Sequence, residues 1–551
     1  MSRAGHAHAI DSETQPAQSC ASKRARHFRP GHHTEADATT KSKGEVRMKS
    51  GRVICIIAMT LLAGTMPVSL AAQDKGRQDH QHQYHHYQLN DVGTFGGPNS
   101  SFVLPSPGGR LLNKSGAAVG GADTATPEPS CIAFNFDCFL SYGFRWQDGV
   151  TNKLGALPGF NSSFAFWVSD SGLVTGLSEN GTDPLTGGPA VEAILWGKDG
   201  EITDLGTFGG NDSAASAVNN RGQVAGQALN TVPDPYTSNF LIPGATQVHA
   251  FRWTQSGGLQ DLGTLGGTDS TAWEINERGQ IAGWSLTNTT VNPTTGIPTL
   301  DPFLWENGKM LDLGTLGGTV ALSYALNSRG QVVGRSNLAG DLTCHPFLWD
   351  KTGGMQDLGT LGGDSGFATW LNDAGQVVGV ANLPGASGCD IPVPHHAFLW
   401  KNGVMTDLGT VDGDPCSHAL GINSKSQVVG TGTDCSNELQ AFLWENGGPM
   451  VDLNTLIPPN SGLVLWEAVY VNDRGEIAAH GTLSNGDIHA FVLTPCDENH
   501  PGVAGCDYSK VDGATAAQSA PRYVRGARQT APESRSVNRS HLSNLGASQR
   551  D

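Results

Sequence analysis

Histidine and carboxylate side chains are the groups in this chain that could bind metal ions or move protons. His80, His82, His85 and His86 lie close together near the start of the chain, and imidazole is a ligand that zinc and copper favour. The surrounding leader is polar and has no apolar pattern from which a fold could be built. We therefore interpret this cluster as an adventitious metal binder and predict no resident metal ion or cofactor.

Oxygen-rich loops could hold a calcium ion locally at residues 210–213, 268–270 and 412–414. Calcium needs several oxygen ligands that converge on one point, and a single aspartate per loop does not supply them. Further aspartates recur directly before Leu-Gly-Thr. We predict that they accept hydrogen bonds from a turn or from a neighbouring repeat. These are Asp204, Asp261, Asp312, Asp357 and Asp407.

Signatures of catalysis are missing from the sequence. It has no Gly-x-Ser-x-Gly, no His-Glu-x-x-His and no phosphate-binding loop, and no lone Asp, Glu or Tyr stands out against the repeated pattern. This favours a protein that is not an enzyme. Residues scattered near the axis of a repeat fold could still assemble an active site.

Tryptophan side chains fall into two groups. Those repeated at one position of the pattern are predicted to pack in the core. His249, His396 and His489 recur at the start of the third strand, and a structural role is predicted for them. Trp284 lies outside the pattern, near a long loop, and is therefore the candidate for contact with a ligand. The predicted core tryptophans are Trp146, Trp196, Trp253, Trp305, Trp349, Trp400 and Trp444.

The pattern itself recurs at intervals of roughly fifty residues. In its clearest copy, apolar residues 396–400 and 404–410 flank Asn402-Gly403, a pair that predicts a β-hairpin because both residues tolerate positive φ. An Asn-x-x-Gly turn predicts a second hairpin. Each repeat thus predicts four antiparallel strands. The first ends at the Asn turn, the third carries Phe-Leu-Trp, and the fourth carries Asp-Leu-Gly-Thr.

The number of strands predicts how the repeats are arranged. The fourth strand is missing after the last repeat, but an extra copy stands at the front of the chain, in residues 89–94. We predict an all-β fold, a single β-propeller of eight four-stranded blades, closed by the N-terminal strand completing the last blade. Seven blades is the alternative if residues 154–176 form none. The predicted turns begin at Asn113, Asp170, Asn219, Asn276, Asn327, Asn372, Asn423 and Asn472.

Residues 48–71 resemble a signal peptide. Lys49 and Arg52 precede the apolar residues 53–62, and Ser69-Leu70-Ala71 supplies small residues for cleavage. We expect Met48 as the start, a secreted product in the extracellular space or periplasm, and no stable membrane span; an uncleaved anchor is the alternative. The expected segments are a disordered or mis-called extension (1–47), the signal peptide (48–71), a His-rich leader (72–86), the propeller (87–495) and a disulfide-containing, then disordered tail (496–551).

Cysteine usage agrees with export. Cys20 and Cys55 fall in segments that should be absent from the mature protein, which leaves an even number without any Cys-x-x-Cys pair. Such usage favours disulfides over metal sites. We expect neighbours along the chain to pair: Cys131 with Cys138, Cys344 with Cys389, Cys416 with Cys435, and Cys496 with Cys506.

The motifs of the repeat resemble the bacterial extracellular HAF-repeat family. His-Ala-Phe occurs at residues 249–251, 396–398 and 489–491, together with Asp-Leu-Gly-Thr-Leu-Gly-Gly and Gly-Gln-Val-Val-Gly. The resemblance covers nearly all of residues 87–495. It implies a secreted protein and, by similarity to kelch-like repeats, a propeller; it implies no particular activity.

Long loops and charge suggest the kind of partner. The loops between second and third strands, such as residues 122–142 and 228–248, share a face with most of the cysteines. A net charge of -17 disfavours nucleic acid. We expect a monomeric, secreted, non-catalytic binding propeller that engages a glycan or an extracellular protein through this loop-rich face. The alternatives are a polysaccharide hydrolase or lyase with carboxylates near the axis, and an envelope scaffold.

Overall fold

The structure is a computed structural model that describes residues 82–102, 109–128, 138–182, 189–234, 246–389, 393–436, 438–517 and 523–524. These belong to one compact unit, Gln78–Asp551. The predicted signal peptide, the extension before it, His80, Cys131 and the tail after residue 524 lie outside the described residues. No helix within the described ranges is long and apolar enough to cross a membrane.

Short antiparallel strands account for almost all regular structure in the described residues, because the sequence alternates brief apolar runs with glycine turns. They form four-stranded sheets whose strands follow one another in chain order. Sheet 1 contains β3 (Gly96–Ser101), β4 (Ala118–Pro127), β5 (Phe139–Gln147) and β6 (Val150–Lys153); sheet 2 contains β7 (Ser163–Val168), β8 (Val174–Thr182), β9 (Pro189–Trp196) and β10 (Ile202–Asp204); sheet 3 contains β11 (Ser213–Val218), β12 (Val224–Pro233), β13 (Thr246–Thr254) and β14 (Gly258–Asp261); sheet 4 contains β15 (Ser270–Ile275), β16 (Ile281–Val291), β17 (Pro298–Glu306) and β18 (Lys309–Asp312).

The second half of the chain repeats this arrangement. Sheets 4 and 5 also touch through one parallel pair, Leu300 with Val320. Sheet 5 contains β19 (Gly317–Leu326), β20 (Val332–Leu338), β21 (Cys344–Asp350) and β22 (Gly354–Asp357); sheet 6 contains β23 (Gly366–Leu371), β24 (Val377–Asn382), β25 (His395–Lys401) and β26 (Val404–Asp407); sheet 7 contains β27 (Cys416–Ile422), β28 (Val428–Thr433), β29 (Glu438–Trp444) and β30 (Val451–Asp452), followed by a 3-10 helix (Leu453–Thr455); sheet 8 contains β31 (Leu463–Val471), β32 (Ile477–Leu483) and β33 (Ile488–Pro495).

The fourth strand of sheet 8 comes from the other end of the chain. It is β2 (Tyr87–Asp91), which pairs antiparallel with β33 from Tyr87 opposite Pro495 to Asp91 opposite Phe491. The sequence predicts this exchange from its count of strands. The prediction of an all-β chain of four-stranded antiparallel sheets is therefore confirmed. Residues 154–176, the poorly matched repeat, contribute β7 and the start of β8.

Aromatic side chains of the third strands fill the space between sheets. The repeated tryptophans are buried, except for the half-buried Trp253. The residue two positions before each of them is also buried, and it is a phenylalanine except for Ile194 before Trp196. Glycine in the second strand makes room for these rings. A Cβ on Gly226 would lie 2.2 Å from the carbonyl oxygen of Ala214 and 2.6 Å from the Phe251 ring. All of the repeated tryptophans except Trp253 therefore lie among the buried residues.

Asparagine side chains at the turns after the first strands tie neighbouring sheets together. Each Nδ2 donates to a backbone carbonyl of the next turn, while Oδ1 accepts N–H groups of its own turn. At the degenerate turn the equivalent place is held by Ser169, not by Asp170 as the sequence suggested. The donations run from Asn113 to Ser169, Asn219 to Asn276, Asn276 to Asn327, Asn327 to Asn372, Asn372 to Asn423, Asn423 to Asn472, and Asn472 to Asn113.

The segments that flank the sheets are also structured where they are described. β1 (Gln83–His85) pairs with β34 (Lys510–Asp512), ahead of a short helix α1 (Gly513–Ala516). β35 (Tyr523–Val524) adds to the edge of β29. The expectation that the His-rich leader has no fold around it is therefore wrong for residues 83–85. The side chain of Tyr84 is buried there and donates to the Pro449 carbonyl at 2.6 Å.

A truncation series tests the role of β2. A chain that begins at residue 82 keeps both β1 and β2. A chain that begins at residue 87 loses β1 only, and one that begins at residue 95 loses both strands. Loss of β2 removes the buried Tyr87 and Val92 and leaves β33 as an open edge. We expect the shortest chain to lose at least about 4 kcal/mol of unfolding free energy beyond the chain that begins at 87. Equal denaturant midpoints for those two chains would contradict this.

The asparagine links can be tested at Asn372. Asn372→Asp keeps the oxygens that accept N–H groups but removes the donor to the Asn423 carbonyl, which lies 2.9 Å away. We expect a loss of about 1–3 kcal/mol, because the buried Asn423 carbonyl loses its donor. Asn152→Asp, at an exposed position of β6, is the matched control and should leave thermal unfolding unchanged. Indistinguishable melting of the two variants argues against the link.

Candidate functional site

A cavity of about 230 Å³ lies where the turn ends of the first strands meet, and residues from all eight sheets line it. In sheets 3 to 8 the first strand starts at the loop-rich face and ends at an Asn turn, so this cavity lies at the opposite end from the long loops. The sequence pointed to the loop-rich face instead. The lining residues come from the last residues of the first strands and from the turns themselves, and in four sheets they include the residue at one place, two residues before the turn.

Large and small side chains alternate at that place. Sheets 3, 5 and 7 carry Ala217, Ala325 and Gly421, which leave space. Sheets 2, 4, 6 and 8 carry residues that line the cavity: Trp167, Glu274, Trp370 and Tyr470. A β-bulge precedes the position in each of these four sheets, and bulges redirect side chains out of the regular alternation.

Aromatic rings make up much of the cavity wall. Trp370 and Tyr470 meet edge to face with ring centroids 5.9 Å apart, and both are half-buried. The guanidinium of Arg110 lies 5.9 Å from the centre of the Trp167 ring. The wall therefore combines apolar faces with a fixed cation, an arrangement that can stack on a flat apolar surface and orient polar groups beside it.

Glu274 is the most unusual side chain of the cavity. It is only 3% exposed, and its Oε2 accepts the N–H of Leu326 at 2.7 Å. Within the described residues, no group donates to its Oε1. Burial raises the pKa of this carboxyl to about 8, against the opposing effects of the Leu326 N–H and the charge of Arg110. The carboxyl is thus a proton donor or a hydrogen-bonding partner held ready at the cavity wall.

Charged residues surround the mouth of the cavity. Arg110 pairs with Asp170 at 3.3 Å, and Lys114 lies 3.6 Å from the same carboxylate. Glu277, Asp373 and Asp473 are exposed, and each accepts a backbone N–H from the turn of the preceding sheet. The rim is therefore acidic, with its carboxylates held in place by the backbone.

Trp284 does not contact the cavity or the solvent. It is 1% exposed and packs in a cluster with Trp273, Leu286 and Tyr324. The prediction that it meets a ligand is not supported, because no face of its ring is open. Its position outside the repeat pattern reflects packing between sheets 4 and 5.

Histidine and aspartate side chains pair at the loop-rich end of several sheets. In each pair a histidine of the third strand contacts the aspartate that ends the fourth strand of the same sheet. That aspartate also accepts the N–H of the glycine two residues on, so the predicted turn hydrogen bond is confirmed. The pairs are His249 with Asp261, His345 with Asp357, His396 with Asp407, and His489 with Asp91 from β2.

Four sheets lack this pair, and in two of them two acidic residues stand in its place. Sheet 4 places Asp301 opposite Asp312, and burial together with the neighbouring charge raises the pKa of Asp301 to about 7. Sheet 2 places Glu192 opposite Asp204, and burial and that neighbour raise the pKa of Glu192. Both arrangements are two carboxyl groups side by side. They supply too few ligands for a complete cation site on their own.

The predicted calcium loops are used for structure. Asp212 and Asp269 are buried and accept the N–H groups of Val191 and Val248, and Asp414 accepts from Gln440 at 2.7 Å. No group of three or more metal-binding side chains occurs in the described part of the chain.

Disulfide bonds follow the predicted pairing where they are described. Cys344 pairs with Cys389, Cys416 with Cys435, and Cys496 with Cys506. Cys138 is also disulfide-bonded, while Cys131, its predicted partner, lies outside the described residues. Several disulfides in one chain are typical of proteins from oxidising compartments such as the extracellular space or the periplasm.

The sequence did contain a signal for the cavity. The search for a lone Asp, Glu or Tyr found none, yet Glu274 and Tyr470 break the repeat at the place two residues before the turn Asn. Sequence analysis did not identify Glu274 and Tyr470 as unusual, because the residue two positions before the turn Asn varies between repeats. Aligning the repeats on their turn asparagines isolates these residues.

Comparison with known proteins gives little beyond fold. No protein-family model and no curated protein sequence matches the chain. It is similar to the β-propeller domain of the Trilobed protease from Pyrococcus furiosus, at 8% identity and a TM-score of 0.36, over 76% of this chain and 98% of that one. The acylaminoacyl peptidase of Pyrococcus horikoshii is similar at 10% identity and 0.36, over 72% and 57%. TolB from Acinetobacter baumannii follows at 10% and 0.27, over 58% and 80%.

The histidine–aspartate pairs give a pH prediction at His249. Burial alone would lower the pKa of His249, but the hydrogen bond and charge of Asp261 raise it, while the same contact lowers the pKa of Asp261 against its own burial. We expect Asp261→Asn to move the His249 titration, followed by NMR of labelled histidines, to lower pH. An unchanged titration would show that the pair carries no charge interaction.

The pKa shifts of His249 and Asp261 determine how the pair changes the stability of the fold with pH. A raised histidine pKa stabilises the fold fully below the unfolded value of about 6.5, and that contribution is lost as pH rises through the folded pKa. A lowered aspartate pKa stabilises above about 3.9 and is lost as pH falls. The pair is therefore strongest between about pH 4 and pH 6.5, where Asp261→Asn should cost most.

Proposed function

We propose that this chain is a secreted, non-catalytic binding protein, built as a closed propeller of eight blades, that holds the end of a glycan in its axial cavity. The observation that carries the proposal is the meeting of Trp167, Trp370 and Tyr470 with the unpartnered oxygen of Glu274 in one cavity. Sugars are recognised by aromatic rings that stack on their apolar faces and by polar groups that bind their hydroxyls.

Contacts between the first and last sheets support a closed ring. The side chain of Asn472 donates to the Asn113 carbonyl at 3.0 Å, and the N–H of Ala490 donates to Ser100 at 3.1 Å. The same serine contact recurs between earlier neighbours, as from Ala250 to Ser270. Sheet 8 thus meets sheet 1 through the contacts that join the other sheets, and β2 belongs to the last of them.

The size of the cavity supports binding of a glycan by one end of its chain. Its volume of about 230 Å³ is below the ~300–1,000 Å³ of pockets that enclose drug-sized ligands. It suits one sugar ring or a chain end, with the rest of the glycan running out over the turn face. Secretion is supported by the sequence of residues 48–71 and by the disulfides. The resemblance to HAF repeats points the same way.

One observation favours an enzyme as the second candidate. A carboxyl whose pKa is about 8 near an arginine is the kind of group that acts as a general acid on a glycosidic bond or assists a polysaccharide lyase. Asp170, the other carboxylate beside Arg110, is paired with that arginine. The enzyme and the binding protein would use the same cavity and differ in whether the sugar leaves unchanged.

A glycan array and a panel of polysaccharide digests, both with the oxidised protein, separate these functions. The proposal expects saturable binding without turnover. Trp370→Leu should weaken that binding by about tenfold, since a well-placed aromatic contact contributes on the order of 1 kcal/mol. The matched control is Trp253→Leu, because Trp253 is also half-buried but lies outside the cavity.

Three outcomes would count against the proposal. Turnover of any polysaccharide would favour the enzyme. Binding that is unchanged in Trp370→Leu but lost on reduction of the disulfides would move the site to the loop-rich face. Absence of binding to every glycan tested, with the variants still folded by thermal unfolding, would leave an extracellular protein partner or a scaffold as the function.

A further inference from the structure

We propose that the axial cavity recognises a protonated amine, so that the preferred ligand is a glycan ending in a deacetylated amino sugar. This inference rests on the proposed function and narrows its substrate class. It is carried by the charge around the cavity, by the free oxygen of Glu274 and by the orientation of the aromatic rings.

Charge around the cavity favours a cation. Two basic side chains, Arg110 and Lys114, line it together with five carboxyl groups. Both basic groups lie beside the same carboxylate, Asp170. Glu277, Asp373 and Asp473 have no ion-pair partner among the described side chains. A positively charged ligand that approaches this rim is attracted, whereas a uronic acid or a sulfated sugar is repelled.

The free Oε1 of Glu274 is a place for one donor. Its Oε2 is already used by the N–H of Leu326. An ammonium group has three N–H donors and no acceptor, so it can donate to Oε1 and keep donors for water or sugar hydroxyls. A buried oxygen without a partner costs free energy that such a donor would recover. An acetylated nitrogen has one N–H and brings a bulky acyl group into a small cavity.

The aromatic walls add a second attraction for a cation. Trp370 and Tyr470 stand edge to face, and both line the cavity that Glu274 also lines. The face of an aromatic ring attracts cations, and Arg110 over the Trp167 ring shows that interaction within the same wall. A carboxylate beside aromatic faces is an arrangement that binds ammonium groups.

Proton release gives a readout that a mere stacking site lacks. Glu274 is mostly protonated at pH 7, because burial raises its pKa to about 8. A bound ammonium favours the ionised carboxylate, so the proton passes from Glu274 to the buffer when the ligand binds. At pH 6, where the amino groups of the sugar are mostly protonated and Glu274 still carries its proton, the amine enters as an ammonium group and no covalent bond changes.

Isothermal titration calorimetry with two trisaccharides tests this inference. The probes are the trimer of glucosamine and the trimer of N-acetylglucosamine, which differ in the acetyl groups alone. We expect the glucosamine trimer to bind at least about tenfold more tightly to the wild-type protein. Its binding at pH 6 in two buffers of different ionisation enthalpy should show release of close to one proton per ligand.

Glu274→Gln should weaken glucosamine-trimer binding by at least about tenfold and leave binding of the acetylated trimer nearly unchanged. Glu201→Gln, at an exposed turn of sheet 2, is the matched control and should change neither. Proton release is measured on the wild-type protein. It therefore tests whether Glu274 ionises on ligand binding even if Glu274→Gln fails to fold.

The two proposals fail differently. Equal affinity for both trimers, lost in Trp370→Leu, would overturn the preference for an amine and leave the glycan-binding function standing. Preference for the glucosamine trimer without proton release would assign the selectivity to the rim and overturn the role of Glu274. Tighter binding of a lysine tripeptide than of the amino sugar would overturn the sugar class. No binding of any glycan would remove both proposals.

Discussion

The hydrogen bond from a turn asparagine to the backbone of the next turn is the constraint on which the rest of the structure depends. It fixes the spacing between the ends of neighbouring first strands, and it does so with a group that also closes its own turn. Most first strands end at such a turn, and the side chains two residues earlier in several of them line the cavity. The links therefore tie together the turns that form its wall.

Sequence reasoning succeeded wherever one local rule was repeated. Asn402-Gly403 and its equivalents predicted the hairpins, and the phase of the fourth strand predicted that residues near Asn90 would pair with residues near Val492. It failed where the burial or hydrogen bonding of a side chain depended on residues distant in sequence. Trp284 looks exposed from its neighbours along the chain but is covered by Tyr324 and Leu286 from across and within the sheets. Likewise, the free oxygen of Glu274 is visible only once Leu326 is placed beside it.

The cavity and the loop-rich face divide the roles that the sequence had assigned to one surface. The long loops and disulfides led to the prediction of a binding site at the loop-rich face. The side chains that line the cavity lie at the opposite end, among the tight turns. Rigid turns place a small set of groups more accurately than long loops do. The alternation of large residues such as Trp370 with small ones such as Gly421 then sets the size of the cavity.

The pairing of β2 with β33 has a consequence for how the chain is made. Asn90 and its partner Val492 are 402 residues apart, so β2 leaves the ribosome long before β33, the strand with which it pairs. Local hairpins can form in order during synthesis, but sheet 8 cannot, and contacts so distant in sequence are slow to form. Until Pro495 has emerged, the edge of β2 stays unpaired and exposed to other chains. Maturation of this protein therefore ends with a step that joins its two ends.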